Sequence, residues 1–171
     1  MATGVKMTAQ LIDRGFTAEV DRYYSLDKSY VVAGFPASEA PGKTNRKGSG
    51  HEPAKSMDEI VQIAGVHEFG SPAQGIPQRS FFRPALDKAM PAVGVMKPRL
   101  LNQILDGKRT IRSGLGVIGE FLVSKIKNEI RTGTFAPLKP STIARKGSDK
   151  PLIDTAQMIN SVSYNTFTGR S

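Results

Sequence analysis

The chain has 171 residues, no cysteine and no tryptophan, and 24 lysine and arginine against 15 aspartate and glutamate side chains, a net charge of +9. That length suits a single domain, residues 1–171, able to bury roughly two-thirds of the surface its unfolded form exposes. The missing thiols exclude disulfides and thiolate metal centres, and the apolar runs are too short for a membrane-spanning helix or a signal peptide, so the sequence predicts a soluble protein without a membrane partner. The charge is uneven. Residues 108–171 hold eleven basic and four acidic side chains, which places seven of the nine excess positive charges in the last third.

In chain order, Leu11, Ile12, Phe16, Val20 and Tyr23 form a helical stripe that predicts a helix from Thr8 to Tyr24, weakened at Gly15. Ser29 to Phe35, rich in β-branched and aromatic residues and ended by Pro36, predicts a strand. Pro36 to Lys55 has almost nothing to bury and reads as a long flexible loop or docking arm. Ser56-Met-Asp-Glu59 is a capping-box sequence, with a helix from Met57 to Phe69 on which Ile60, Ile63, Ala64 and His67 share a face, and Gly70 as its stop. After a loop at Ser71–Gln78, a short helix at about Arg83–Met90 and a second from Pro91 to Asp106 are expected, broken from each other at the proline. Ile111, Leu115, Ile118, Leu122, Ile126 and Ile130 then mark what reads as the longest helix and the backbone of the core.

Pro137, Pro140 and Pro151 predict an ordered, extended path with no helix from Phe135 up to Asp154. Asp154 offers a helix start, with Gln157 placed to reach back as in a capping box, and Val162–Tyr164 reads as a short half-buried strand. The sum is an α+β fold: a small, mainly antiparallel sheet packed against a long helix, with additional short helices and the flexible loop.

The residue patterns exclude familiar chemistry. A zincin motif needs a second histidine one turn after His67-Glu68, and position 71 is serine; the other histidine, His51, lies in the predicted loop. There is no phosphate-binding loop and no Gly-x-Ser-x-Gly elbow, and Asp58 and Glu59 are accounted for as helix-start acids. The chain therefore reads as a non-enzyme without cofactor or metal. Lys139, Arg145, Lys146 and Lys150 form a basic tract without the interleaved aromatics of a single-strand binding platform.

Two tracts carry a resemblance. Phe135–Tyr164, with its proline-rich run, Leu-Ile-Asp-Thr-Ala-Gln-Met turn and Ser-Val-Ser-Tyr strand, and Val66-His-Glu-Phe-Gly70 followed by Ile76-Pro-Gln-Arg-Ser-Phe-Phe-Arg-Pro-Ala85, resemble the tail-completion and neck proteins of long-tailed bacteriophages, also called virion morphogenesis proteins. The resemblance spans roughly residues 57–165. Ala156 stands where that family usually has glycine and Ser80 where it usually has proline; if the glycine serves a left-handed turn, Ala156 makes that turn right-handed or strained. The resemblance implies a structural virion protein, assembled in the host cytoplasm. It would form a homo-oligomeric, commonly six-fold ring at the neck and join the head connector or adaptor to the tail tube or terminator.

A tail-terminator ring protein and a basic nonspecific DNA-binding accessory protein are the alternatives. Interface candidates are His67, Glu68, Phe69, Arg79, Phe81, Phe82, Arg83, Lys139, Arg145, Lys146 and Lys150. Phe81-Phe82 is the sharpest of them, with packing of at least one ring in the protomer core as the competing reading. Glu68 is expected to meet a basic neighbour in the ring. The basic tract is assigned to an acidic ring partner ahead of transient nonspecific contact with genomic DNA.

Overall fold

The computed structural model describes residues 16–36, 55–153 and 156–169. Within them the elements run α1 (Phe16–Asp27), β1 (Tyr30–Gly34), α2 (Met57–Phe69), a 3-10 turn (Pro72–Gln74), α3 (Phe82–Leu105), α4 (Ile111–Thr132), α5 (Pro140–Lys146), α6 (Gln157–Asn160) and β2 (Ser163–Phe167). The protein is α+β, with β1 and β2 forming a two-stranded antiparallel sheet and α4 packed on both strands. The expected helix from Thr8 is present over its described part, while residues 8–15, the loop segment 37–54 with His51, and Asp154 lie outside the described residues.

The register pairs Tyr30 with Phe167, Val32 with Asn165, Ala33 with Tyr164 and Gly34 with Ser163. Because side chains alternate across a strand, Ala33 and Tyr164 turn toward α4 while Tyr30, Val32, Asn165 and Phe167 occupy the opposite face. Tyr164 lies on α4 where that helix has glycines: a Cβ at Gly119 would sit 2.3 Å from the Tyr164 ring, and one at Gly116 would sit 3.4 Å from its hydroxyl. The main core joins Ile60 and Ala64 of α2, Phe81 and Ala85, Ile126 and Ile130 of α4, Leu152, and Met158, Ile159 and Val162. A second cluster of Ala89, Val93 and Leu122 seals α3 to α4. There, Lys88 Nζ also donates to both carboxylate oxygens of the buried Glu129, at 2.9 and 2.7 Å.

Two stretches depart from the sequence reading. The break at Pro91 does not occur: α3 is continuous through Pro91 and Pro98 and, at 24 residues against 22 for α4, is the longer helix. Pro91 and Pro98 lie seven residues apart and so share one face, both exposed, as are Asp87 and Gly94 one turn before them. The carbonyls deprived of an amide partner therefore meet water, while Ala85, Ala89 and Val93 at four-residue spacing hold the buried side on α4.

The proline-rich tract is likewise not helix-free. Pro140 opens α5 at the first helical position, where its missing N–H costs no bond, and Gly147 at φ 69° closes it. Gln157 opens α6, while Asp154, its expected capping partner, lies outside the described residues. Gln157 Oε1 accepts from the Lys55 amide at 2.9 Å and its Nε2 donates to the Lys55 carbonyl at 3.0 Å, pinning the chain before α2 to the turn before β2. Ala156 takes the cap position at φ 60°, ψ 4°, the one positive-φ non-glycine among the described residues, so the strained alternative of the sequence reading is the one adopted.

Candidate functional site

The capping box at the start of α2 forms as its sequence predicts: Ser56 Oγ accepts from the Glu59 amide at 3.3 Å and Glu59 Oε2 accepts from the Ser56 amide at 2.7 Å. At the other end, three of the last four carbonyls of α2 are taken by the residues that follow. Val66 accepts from Gly70 N at 2.8 Å, His67 from Arg79 N at 2.8 Å and Glu68 from the Gln78 side chain at 2.9 Å. Gly70 allows this return at φ 76°, where a Cβ would stand 3.0 Å from the Gln78 nitrogen.

Glu68 is buried beneath the start of α3 and serves as that helix's cap from outside it. Its Oε2 accepts from the amides of Phe81 and Phe82, both at 2.9 Å, and its Oε1 from the Ser80 hydroxyl at 2.7 Å and the Arg83 amide at 3.3 Å. Phe81, the N-cap residue, makes no side-chain cap of its own. A carboxylate on the free amides of a helix N-terminus satisfies orphan donors and complements the dipole. Burial pushes the Glu68 carboxyl up, but the Ser80 hydroxyl and the amides of Phe82, Phe81 and Arg83 outweigh it and hold the group below its ordinary value of 4.5.

Arg79, buried at 5% exposure, completes the junction. Its Nε donates to the Ala136 carbonyl at 2.8 Å and its Nη2 to the Pro137 carbonyl at 3.0 Å, so one guanidinium fork holds two successive carbonyls of the proline-rich tract. The loop after α2 and the tract after α4 are thereby locked side by side. Between them lies an open crevice of about 340 Å³ whose lining includes His67, Gln74, Ile76, Lys139 and Thr142. It adjoins a smaller one of about 140 Å³ lined by Lys55, Ile63, His67 and Gln157.

The structure thus gathers His67, Arg79 and Lys139 around one depression and divides the remaining sequence candidates. Phe81, at 1% exposure, belongs to the core, and Phe82 packs edge-on against it with centroids 6.4 Å apart while covering Gly34. For this pair the competing core reading is the one realised. Glu68 and Arg79 are engaged within the chain, because a buried charge needs several hydrogen-bond partners and these are supplied locally. Phe69 is 70% exposed, and Arg83, Lys139 and Lys150 are exposed as well. The side chains of Arg145 and Lys146 lie outside the description. Among the described residues no three histidine, cysteine, aspartate or glutamate side chains are grouped as metal ligands would be.

A second surface escaped the sequence reading. On the sheet face turned away from α4, Tyr30 and Phe167 stack with centroids 4.8 Å apart and planes at 18°, next to Val32, all of them exposed. Neither strand contains a charged residue or a proline, and among the described residues each has a single neighbour, so β1 and β2 each present an open edge. Alternation at Tyr30 and Val32 was the available signal; Phe167 was hidden because the strand reading stopped at Tyr164. No protein-family model, no curated protein and no solved structure matches the chain.

Proposed function

We propose that this chain is a structural subunit of a phage virion, a tail-completion or head–tail joining protein that forms a ring at the neck and acts by binding, without turnover. The observation that carries the reading is the sheet, whose two edges are unlike, uncharged and, among the described residues, unpaired. Natural sheets that stay monomeric guard their edges with lysine, proline or a cover, and a two-stranded sheet alone is marginal in water. One copy's β1 edge and the next copy's β2 edge make a head-to-tail junction, and a head-to-tail junction closes into a ring when the rotation allows. The resemblance of the two tracts supports the same reading, since Arg79 and Glu68 fasten both into one rigid surface where a neighbouring layer would dock.

Mass photometry and negative-stain imaging of the chain, alone and with head-connector and tail proteins, test the proposal. Rings of a single defined copy number that join connectors or tails are expected. A chain that stays monomeric and never associates with either overturns it.

A further inference from the structure

We infer that the tip of the α3–α4 hairpin is a phosphate-binding surface that takes the backbone of duplex nucleic acid. Residues 97–112 carry Lys97, Arg99, Lys108, Arg109 and Arg112 against Asp106 alone. The fold places them on a projection. Between Val93 and Ile104 no residue of α3 is buried, and from Ile111 to Ile118 of α4 only Gly114 is. Among the described residues the outer half of the hairpin therefore consists of two helices with no third layer over them.

The projection is narrow and internally braced. Ile104 seats where α4 has Gly114, so close that a Cβ there would lie 2.8 Å from its Cδ1. Gln103 O accepts from the amides of Lys108 at 2.9 Å and Arg109 at 3.1 Å, Gly107 N donates to Ile104 O at 3.0 Å, and Thr110 Oγ1 accepts from Ser113 N at 3.1 Å. The cations thus stand on a preformed scaffold, which lowers the ordering cost of binding.

Their charge is mostly uncompensated. Lys108 pairs with Asp106 at 2.8 Å in full solvent, where such pairs are weak and readily exchanged. Arg109 is held by neutral partners, Gln103 Oε1 at 3.0 Å and Ser113 Oγ at 2.9 Å, which aim the guanidinium without cancelling its charge. Lys97, Arg99 and Arg112 have no ion-pair partner among the described residues.

The chemistry around these cations selects the ligand. Residues 94–113 contain no aromatic side chain, so there is no platform for unstacked bases. In the outer half of the hairpin Val95 and Leu101 are the exposed large apolar side chains among the described residues, and six residues apart they stand on different sides of α3, so they do not make the apolar centre that a protein partner would bury. What remains is a set of forked and ammonium donors suited to phosphate oxygens, and a duplex presents one phosphate charge for about every 1.7 Å of its axis. The inference rests on the hairpin alone and stands whether or not the chain forms rings.

Fluorescence anisotropy of the full chain with a labelled random-sequence duplex of about 20 bp, over about 50–300 mM KCl, tests it. Expected is an affinity that falls log-linearly with salt at a slope near −3 to −4, about −0.9 for each phosphate engaged. The double variant Arg99→Gln/Arg112→Gln should lose about tenfold in affinity at low salt and about 2 in slope, and Lys108→Glu, as a second variant, should lose at least as much affinity. Lys28→Gln/Lys125→Gln, exposed cations away from the tip, with circular dichroism confirming that every variant is folded, should stay within about twofold of wild type. Absence of duplex binding at low salt, equal losses in tip and control variants, or tighter binding of polyglutamate than of the duplex would each overturn the proposal.

Discussion

Glu68 shows what a single carboxylate does when it is spent on architecture. The native group titrates below 4.5, so as pH drops past that value the unfolded chain takes up a proton before the native state does. The stabilisation from Glu68 is complete above the unfolded value and disappears as pH falls through the native one. Glu68→Gln is expected to lower stability at neutral pH by about 2 kcal/mol, the scale of hydrogen bonds to a charged group, and to flatten the acid limb of the stability curve. Urea midpoints at pH 7 and below pH 4 check both, and an acid limb unchanged in the variant would refute the assignment. Ala156 is the residue where a gain is expected. At φ 60° a Cβ costs about 1–2 kcal/mol, part of which glycine returns as unfolded-state entropy, so Ala156→Gly should raise stability by about 0.5–1 kcal/mol in a thermal melt.

At the scale of elements, the capping box, the helix stop at Gly70 and the stripe along α4 were all legible because each signal is local. The continuity of α3 was not. A proline inside a helix is tolerated or refused according to which side of the helix it occupies, and that side is set by α4, not by neighbours in sequence. Pro91→Ala is accordingly expected to stabilise the protein, by up to about 3 kcal/mol, without changing its fold; destabilisation would mean that the proline bend is needed for packing on α4. The role of the α4 glycines was equally illegible, since nothing local to Gly116 and Gly119 shows that Tyr164 lies across them. Gly119→Ala should cost about 1–3 kcal/mol in urea denaturation, the usual penalty for inserting a methyl into a filled site.

For the whole molecule, the sequence foretold the α+β class and the helix beneath the sheet, and it drew attention to both tracts that Arg79 ties together. It could not foretell that Arg79 would reach carbonyls about 57 residues away, or that Phe81 would be interior while Phe167 stayed outside. Those outcomes depend on contacts between distant segments. The exposed sheet is where they bear on the proposed ring: Val32→Lys places a charge on its open face and, on that proposal, is expected to abolish ring formation in mass photometry while leaving the circular dichroism spectrum intact. Rings that persist in this variant would place the subunit contact elsewhere.

The pairing of Gly34 with Ser163 also has a consequence in time. A ribosome adding about 5–20 residues per second emits β1 many seconds before β2, because nearly the whole described chain lies between them. β1 cannot find its own partner during that interval, and the helices between the two strands must be made first. The sheet, with its stacked Tyr30 and Phe167, is therefore among the last surfaces to be completed. In the proposed ring the complete two-edged surface would exist only after residue 167 has been synthesised, and until then β1 is an unpaired strand that has to be kept from other chains.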